Sequence, residues 1–469
     1  MSVVQKATKP ILSFAGVAKE KPSPFDRTGS TMAADGSGDN PVAALIIWED
    51  LPEALIIWEI LVRLPPEDVF RCRAVRRSWR HATSTRDFLL ANHRRQPVLP
   101  ILNLYEAIDL DAEGTIGIDH DDPHFVVFCG GGELRPVVRY AAPGMDCLAL
   151  HGAIDGLLLV SSTGMNAIWR RFYLCNPATC RCAPVRQLFE HKLGRPCFST
   201  HVVGFYQHQP SGEYRVLYWL RPESDDGGGA PVYYVLTVEN GGEPRCIGRL
   251  GAATSPSAAQ LLATGLPCSA DHPPVLYRGC LYWGRHDLID DDDETLEVYR
   301  HIPVFDVVTE KFRWMRRPFH LFHWTSLLEM NNADGTIGLG LCGSREGPVI
   351  EFWVLEDYDA EIWSFKRWIN LEALTQTPAP PVDRLALFCT PARVVVFNER
   401  EVLISILGRV LQCDVHGNFL GLLECGGRLC HITGHSLRES ILQHPFFEMQ
   451  EEIAVNENDN MPMPFLLAV

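Results

Sequence analysis

Near its end the chain gathers four zinc-type donors into eleven positions: "CGGRLCHITGH" contains Cys425, Cys430, His431 and His435. Thiolate and imidazole are the donors a tetrahedral zinc site uses. The run reads as a strand, however, and adjacent Cys430 and His431 then point to opposite faces, so no metal is expected there. "CNPATCRC", with Cys175, Cys180 and Cys182, falls on a repeated hairpin whose other copies lack cysteine. "DLDAEGTIGIDH" (Asp109 to His120) sets carboxylates at calcium-loop positions but has His120 where a bidentate Glu belongs, and it reads as a turn. "GLGLCG" (Gly338, Gly340, Gly343) matches a dinucleotide fingerprint, yet a further strand, "PVIEFWVLED", follows it instead of the helix that would receive a phosphate. The acidic run Asp290–Asp293 with Glu294 is a solvated loop, or else a landing site for a basic substrate. No Gly-x-Ser-x-Gly elbow, Walker loop or His-Glu-x-x-His is present. The chain is therefore expected to be non-catalytic, with no cofactor and no metal.

The elements that would have to position such groups divide the 469 residues unevenly. Charge divides them too. After Pro97 there are 28 basic and 47 acidic residues, so that body carries −19 against −16 for the whole chain and would repel nucleic acid and anionic membrane. The fifteen cysteines are odd in number and scattered singly, a usage that fits reduced thiols and a cytoplasmic or nuclear location. Residues 1–31 are lysine-containing and poor in acids, a composition shared with transit peptides, and Met32 opens a small, polar stretch. Residues 1–44 are expected to be a disordered leader.

Residues 43–61, "AALIIWEDLPEALIIWEIL", spell ALIIWE twice, at 44–49 and 54–59. Five charged residues and Pro52 between Ala43 and Leu64 rule out a membrane span. Leu51-Pro52-Glu53 reads as a helix start, with an acid at the positive end of the dipole. Leu55, Ile57, Trp58, Ile60, Leu61 and Leu64 then form a broad apolar face. Pro65-Pro66 ends that helix, and Glu67-Asp68 begins another through Val69, Cys72 and Val75. Three short helices bury too little surface on their own and leave apolar faces that want a partner. The arginines at 71, 73, 76, 77 and 80 are diluted by Glu67, Asp68 and Asp87 and read as a solvated face, not a nucleic-acid patch.

"LPEALIIWEILVRLPPEDVFRCRAVRRSWRHATSTRDFLLANH" resembles an F-box, the module that docks substrate receptors on Skp-family adaptors. The likeness lies in Leu51-Pro52, Leu64-Pro65, the Ile60-Leu61 pair, Val69, Val75 and Trp79. Arg76 departs from the cysteine many members carry there. The resemblance implies adaptor binding through Leu51, Pro52, Ile60, Leu64, Pro65, Val69, Val75 and Trp79, within a helical module over 45–95. It also puts the second ALIIWE copy in register and the first ahead of the motif.

Beyond Pro97 short β-branched and aromatic runs alternate with Gly, Pro and Asp, which predicts a β-rich body. Hairpins recur: "RRFYLCNPATCRCAPV", "VYYVLTVENGGEPRCIGRL", "RHIPVFDVVTEKFRWMRRP", "EFWVLEDYDAEIWSFKRWINL" and "RVLQCDVHGNFLGLLEC" turn 51 to 67 residues apart. That period fits one four-stranded blade per unit of a β-propeller of about six blades, with Trp314, Trp363 and Phe365 wedged between blades. "GFYQHQPSGEYRVLYW", "PPVLYRGCLYWG" and "HSLRESILQHPFF" resemble the F-box-associated region of large plant families, grasses especially, whose kelch-like domains hold substrates.

The expected fold is thus α+β and multidomain: leader 1–44, helical module 45–95, β-propeller 98–447, and an acidic, flexible tail 448–469. The resemblance implies a substrate receptor of an SCF-type E3 ubiquitin ligase. Its partners would be the adaptor, the cullin and RING protein reached through that adaptor, and an unidentified target, with no nucleic acid and no membrane. The alternatives are a propeller enzyme or carbohydrate binder with a purely structural helical segment, and an interaction protein that delivers no target.

Overall fold

In a computed structural model, residues 51–107, 118–140, 146–164, 170–188, 200–221, 229–239, 242–249, 264–270, 272–284, 301–318, 324–331, 337–344, 349–370, 392–398, 400–406, 408–414, 416–450 and 465–467 are described. The first ALIIWE copy, the leader, most of the calcium-like loop and the Asp290–Asp293 run lie outside them.

The helical start runs through α1 (Glu53–Leu55), a wide π-turn (Ile56–Ile60), a tight 3-10 turn (Leu61–Arg63), α2 (Pro66–Val75), α3 (Arg77–Thr83) and α4 (Arg86–Arg95). Three strands follow: β1 (Leu99–Ala107), β2 (Ile118–Gly130) and β3 (Glu133–Tyr140). Blade one is β4 (Asp146–Ile154), β5 (Leu157–Gly164), β6 (Arg170–Asn176) and β7 (Arg181–Pro184). Blade two is β8 (His201–Gln207), β9 (Tyr214–Leu220), β10 (Val232–Thr237) and β11 (Arg245–Gly248). Blade three is β12 (Val275–Tyr277), β13 (Cys280–Tyr282), β14 (His301–Asp306) and β15 (Lys311–Arg316). Blade four is β16 (Trp324–Asn331), β17 (Ile337–Ser344), β18 (Val349–Asp357) and β19 (Ile362–Asn370). Blade five is β20 (Arg393–Val396), β21 (Glu401–Ile406), β22 (Arg409–Asp414) and β23 (Phe419–Leu422). Blade six joins β24 (Leu429–Leu437) to β1, β2 and β3, with β25 (Phe465–Leu467) on the outside.

The described strands thus form a six-bladed propeller behind a few small helices, as the repeat predicts. Closure is made by segments over three hundred residues apart. β24 pairs antiparallel with β1 from Leu437 opposite Leu99 to Leu429 opposite Tyr105, and the Thr433 hydroxyl donates to the Ile101 carbonyl at 2.8 Å. Six apolar clusters fill the interfaces, one between each pair of neighbouring blades. Large buried rings such as Trp283, Tyr218 and Phe352 do the wedging. The Trp283 indole crosses from blade three to donate to the Val203 carbonyl of blade two at 2.9 Å. Phe365, expected between blades, is instead exposed, because the outermost strand of a twisted blade turns part of its face to solvent.

All five repeated hairpins prove to be the third-to-fourth strand turn of a blade. In four of them an Asn or Asp side chain at the start caps the turn, which is why the repeat is legible as Asx residues. Asn176 Oδ1 accepts from the Thr179 amide, Asp306 Oδ1 from Val308 and Thr309, Asp357 Oδ1 from Asp359 and Ala360, and Asp414 Oδ1 from His416 and Asn418. Asp306→Ala leaves two turn amides without their acceptor and is expected to cost about 1–2 kcal/mol, read as a lower urea midpoint.

The expected free tail rejoins the sheet at its far end. Phe465–Leu467 pairs with β3, and Phe465 is completely buried. Cys175 and Cys182 face each other across β6 and β7 as a disulfide, so these two depart from the expected reduced thiols, while ten others among the described residues form no disulfide.

Candidate functional site

The helical module begins as its punctuation predicts. Pro52 caps α1, Pro65 holds Leu64 extended at ψ 147°, and Pro66 opens α2 with Glu67 and Asp68 in its first turn. Arg71 binds both of those acids. The buried amides of α4 secure the opposite end: Asn92 Nδ2 donates to the Val62 and Leu64 carbonyls at 3.1 and 2.9 Å, and Gln96 Nε2 to Leu64 at 2.9 Å.

What points outward is set by the π-turn. Its extra residue moves the buried period from four to five, so Ile56 and Ile57 bury together with Leu61 and Val62. Leu55, Trp58 and Ile60 are left facing water, with Phe70 and Val75 of α2. Six of the twelve exposed large apolar residues among the described ones lie between Leu55 and Val98, about a tenth of the chain. Such density marks a surface made to be covered.

Of the residues expected to dock an adaptor, Pro52, Ile60, Pro65 and Val75 are exposed, and Leu51, Leu64 and Trp79 are half-buried. Val69 is a correction. It has no exposed surface and packs inside the module, because α2 turns it toward the interior and Val75, nearly two turns on, toward solvent. Leu55 and Trp58, read from the sequence as part of the apolar face though not among the docking residues, lie on this surface, and Phe70, not singled out there, joins them.

The module is fastened to the propeller through α4. His93 Nδ1 lies 2.9 Å from the Glu439 carbonyl, and its Nε2 lies 3.3 Å from Asp155 Oδ1. Asp155 also accepts from the Tyr214 hydroxyl at 2.9 Å. Burial alone would raise the Asp155 carboxyl, but the bonds from His93 and Tyr214 hold it below the usual range. Asn176 Nδ2 donates to the Ser440 carbonyl at 3.0 Å and Arg135 binds Glu439 at 3.0 Å, so residues 439–440 join α4 to blades one and six. A cleft of about 340 Å³ separates Phe70 and Arg73 from the β6–β7 turn and Ile441–His444.

The inner strands enclose a cavity of about 450 Å³ at the ring centre, lined in part by His151, Phe205, Glu329, Arg393 and His435. Glu329 is open to that space yet enclosed by protein, and the enclosure raises its carboxyl against the opposing pull of Arg438. His151 sits between the Ser161 hydroxyl at 2.7 Å and the Cys268 thiol at 3.6 Å. A base beside a thiol and a hydroxyl has the parts of a nucleophile, but His151, although at the cavity wall, has no accessible surface and Ser161 almost none. Burial keeps His151 far below its ordinary value and takes His435 and His444 down to about 4.

These imidazoles stay neutral in the fold, whereas unfolded histidine protonates near 6.5. The contribution is complete above pH 6.5 and is lost as pH falls toward 4, by at most about 1.4 kcal/mol per unit for each group. Urea unfolding at pH 7.5 and at pH 5 should show a loss of roughly 2 kcal/mol or more. A flat profile would mean that these rings protonate freely inside the fold.

No set of three or more His, Cys, Asp or Glu among the described residues could hold a metal ion. In the zinc-like run, His431 approaches Ser405 and His435 reaches the Ser269 carbonyl at 3.2 Å. The "GLGLCG" run is β17, paired on both sides within blade four. No helix among the described residues is long and apolar enough to cross a membrane.

No curated protein matches the chain. Solved structures resemble it at 10% identity: a chain from an S. cerevisiae complex of Dbp5 with Nup159, Gle1, IP6 and ADP (TM-score 0.28, covering 67% of this chain and 72% of that one); a prolyl endopeptidase (0.33, 78% and 50%); and a mutant of AofleA from Arthrobotrys oligospora (0.31, 59% and 70%). At such scores none of these likenesses bears on fold or function. The family described as "F-box associated beta propeller domain" matches residues 138–391, from the end of β3 through blade four and more than half of the sequence. The chain belongs to the F-box associated beta propeller domain family.

Proposed function

We propose that this chain is the substrate-recognition subunit of an SCF-type, cullin-RING E3 ubiquitin ligase. Its helical module docks on a Skp-family adaptor, and its propeller holds a target protein. The observation that carries the reading is the uncovered apolar surface of Leu55, Trp58, Ile60, Phe70 and Val75, on a module whose other side is fastened to the propeller through His93. A helix face left bare among the described residues is suited to a partner helix. The family association supports reading the helical module as an F-box, and the plant-type segments of the sequence favour a plant chain.

The chain performs no chemistry in this scheme. It raises the effective concentration of target lysines near the ubiquitin-charged enzyme. The cysteines outside the Cys175–Cys182 bridge, among the described residues, form no disulfide, which favours the cytoplasm or nucleus. Co-purification of the full chain with a Skp-family adaptor tests the reading: a stable one-to-one complex is expected, and a wild-type chain that does not bind would end it.

A further inference from the structure

Blade six has a feature the other blades lack among the described residues: β3, its fourth strand, has a fifth strand laid along it. That fifth strand, β25, is only three residues long, with Phe465 opposite Tyr140, Leu466 opposite Arg139 and Leu467 opposite Val138. Alternation puts Phe465 and Leu467 on one face. Phe465 fills a closed pocket between blades six and one, edge-on to Tyr173 at 5.4 Å, and Leu467 packs on the same cluster beside Val137 and Val138. The edge therefore reads an aromatic residue followed, two positions on, by a branched aliphatic one, while the backbone of β3 supplies generic strand pairing.

Those are the parts of a β-addition site, in which main-chain bonds give affinity and alternate pockets give selectivity. We propose that the outer edge of β3 is a docking site for an extended segment of the target protein carrying that aromatic–x–aliphatic pattern, and that Phe465–Leu467 is its resident occupant. A three-residue strand makes few main-chain bonds, and in this proposal it gives way to an incoming segment. Tethered to the chain, it competes at an effective concentration on the order of millimolar, so an incoming segment must outbid it or arrive multivalently. The proposal rests on the propeller being the target-holding part, but it does not involve the adaptor surface.

The test uses the full chain, wild type and Phe465→Ala with Leu467→Ala, and a fluorescent synthetic peptide of residues 460–469. The double variant is expected to bind the peptide at least ten-fold more tightly than wild type, and a peptide with Phe465 replaced by Ala should bind neither. Equal binding to both chains, or none to a variant that still unfolds cooperatively, overturns the proposal. If the variant does not fold, hydrogen exchange on wild type decides. The edge-facing amides of Val138–Tyr140 should exchange at least ten-fold faster than the β1–β2 ladder and slow with excess peptide. Protection equal to that ladder, unchanged by peptide, means a permanent strand and overturns it. Adaptor co-purification should be the same for both chains, which separates this outcome from failure of the ligase reading.

Discussion

Ile60→Asp combined with Val75→Asp should lower affinity for a Skp-family adaptor by at least about 100-fold while leaving the unfolding transition almost in place. Both side chains already face water, Val75 at 72% exposure, so a carboxylate there costs the free chain little. In a complex the same carboxylates would be stripped of water against an apolar partner surface. Buried anchors at the centre of an interface are worth about 2 kcal/mol or more each, and two of them reach the stated factor. Val69→Asp supplies the contrast. That residue has no exposed surface, so its replacement should unfold the module and lose binding through stability instead of contact. Adaptor titrations beside thermal melts separate the two. If the exposed pair binds like wild type, the docking surface lies elsewhere.

Gly156→Val should be the most damaging single change at the junction, at least about 3 kcal/mol. Gly156 follows Asp155 in the tight β4–β5 turn, at φ +83° and +50° respectively. That left-handed geometry is the reason a glycine stands there. A Cβ would lie 2.4 Å from Ser440 Cβ and 2.8 Å from its backbone nitrogen, so the clash meets main chain that cannot rotate away. Displacing residue 440 also strains the Asn176 bond to its carbonyl and the His93 bond to its neighbour. Two measurements check this: a urea midpoint well below wild type, and adaptor binding that survives at temperatures where the variant remains folded. Target ubiquitination should then fall further than adaptor binding, because the module no longer holds a fixed angle to the propeller. A variant as stable as wild type would show that residues 439–440 move aside at no cost.

Much of the architecture was readable because propellers repeat short-range rules. Period-two apolar runs made strands, and Asn176, Asp306, Asp357 and Asp414 marked turns through their own side-chain bonds, so the repeating blade could be read from local signals. The prolines at 52, 65 and 66 likewise set helix ends within the module through φ restriction. The nucleotide-like "GLGLCG" run could be set aside for the same reason, since its phosphate site needs a following helix and a paired strand follows instead.

Other features depend on residues hundreds of positions apart, and they leave no mark in a window of ten. That β24 closes on β1, that Phe465 returns to β3, and that His93 finds both Glu439 and Asp155 follow from ring geometry, in which sequence-distant segments become neighbours. The division of the docking helix into buried and bare sides was likewise settled only by packing. A single extra residue in the turn at Ile56–Ile60 rotated the face, exchanging a regular helical stripe for the pairs 56–57 and 61–62. Residue types alone thus determined blades, turns and helix limits; three-dimensional packing decided which greasy side chains stay bare, because exposure belongs to neighbours and not to letters.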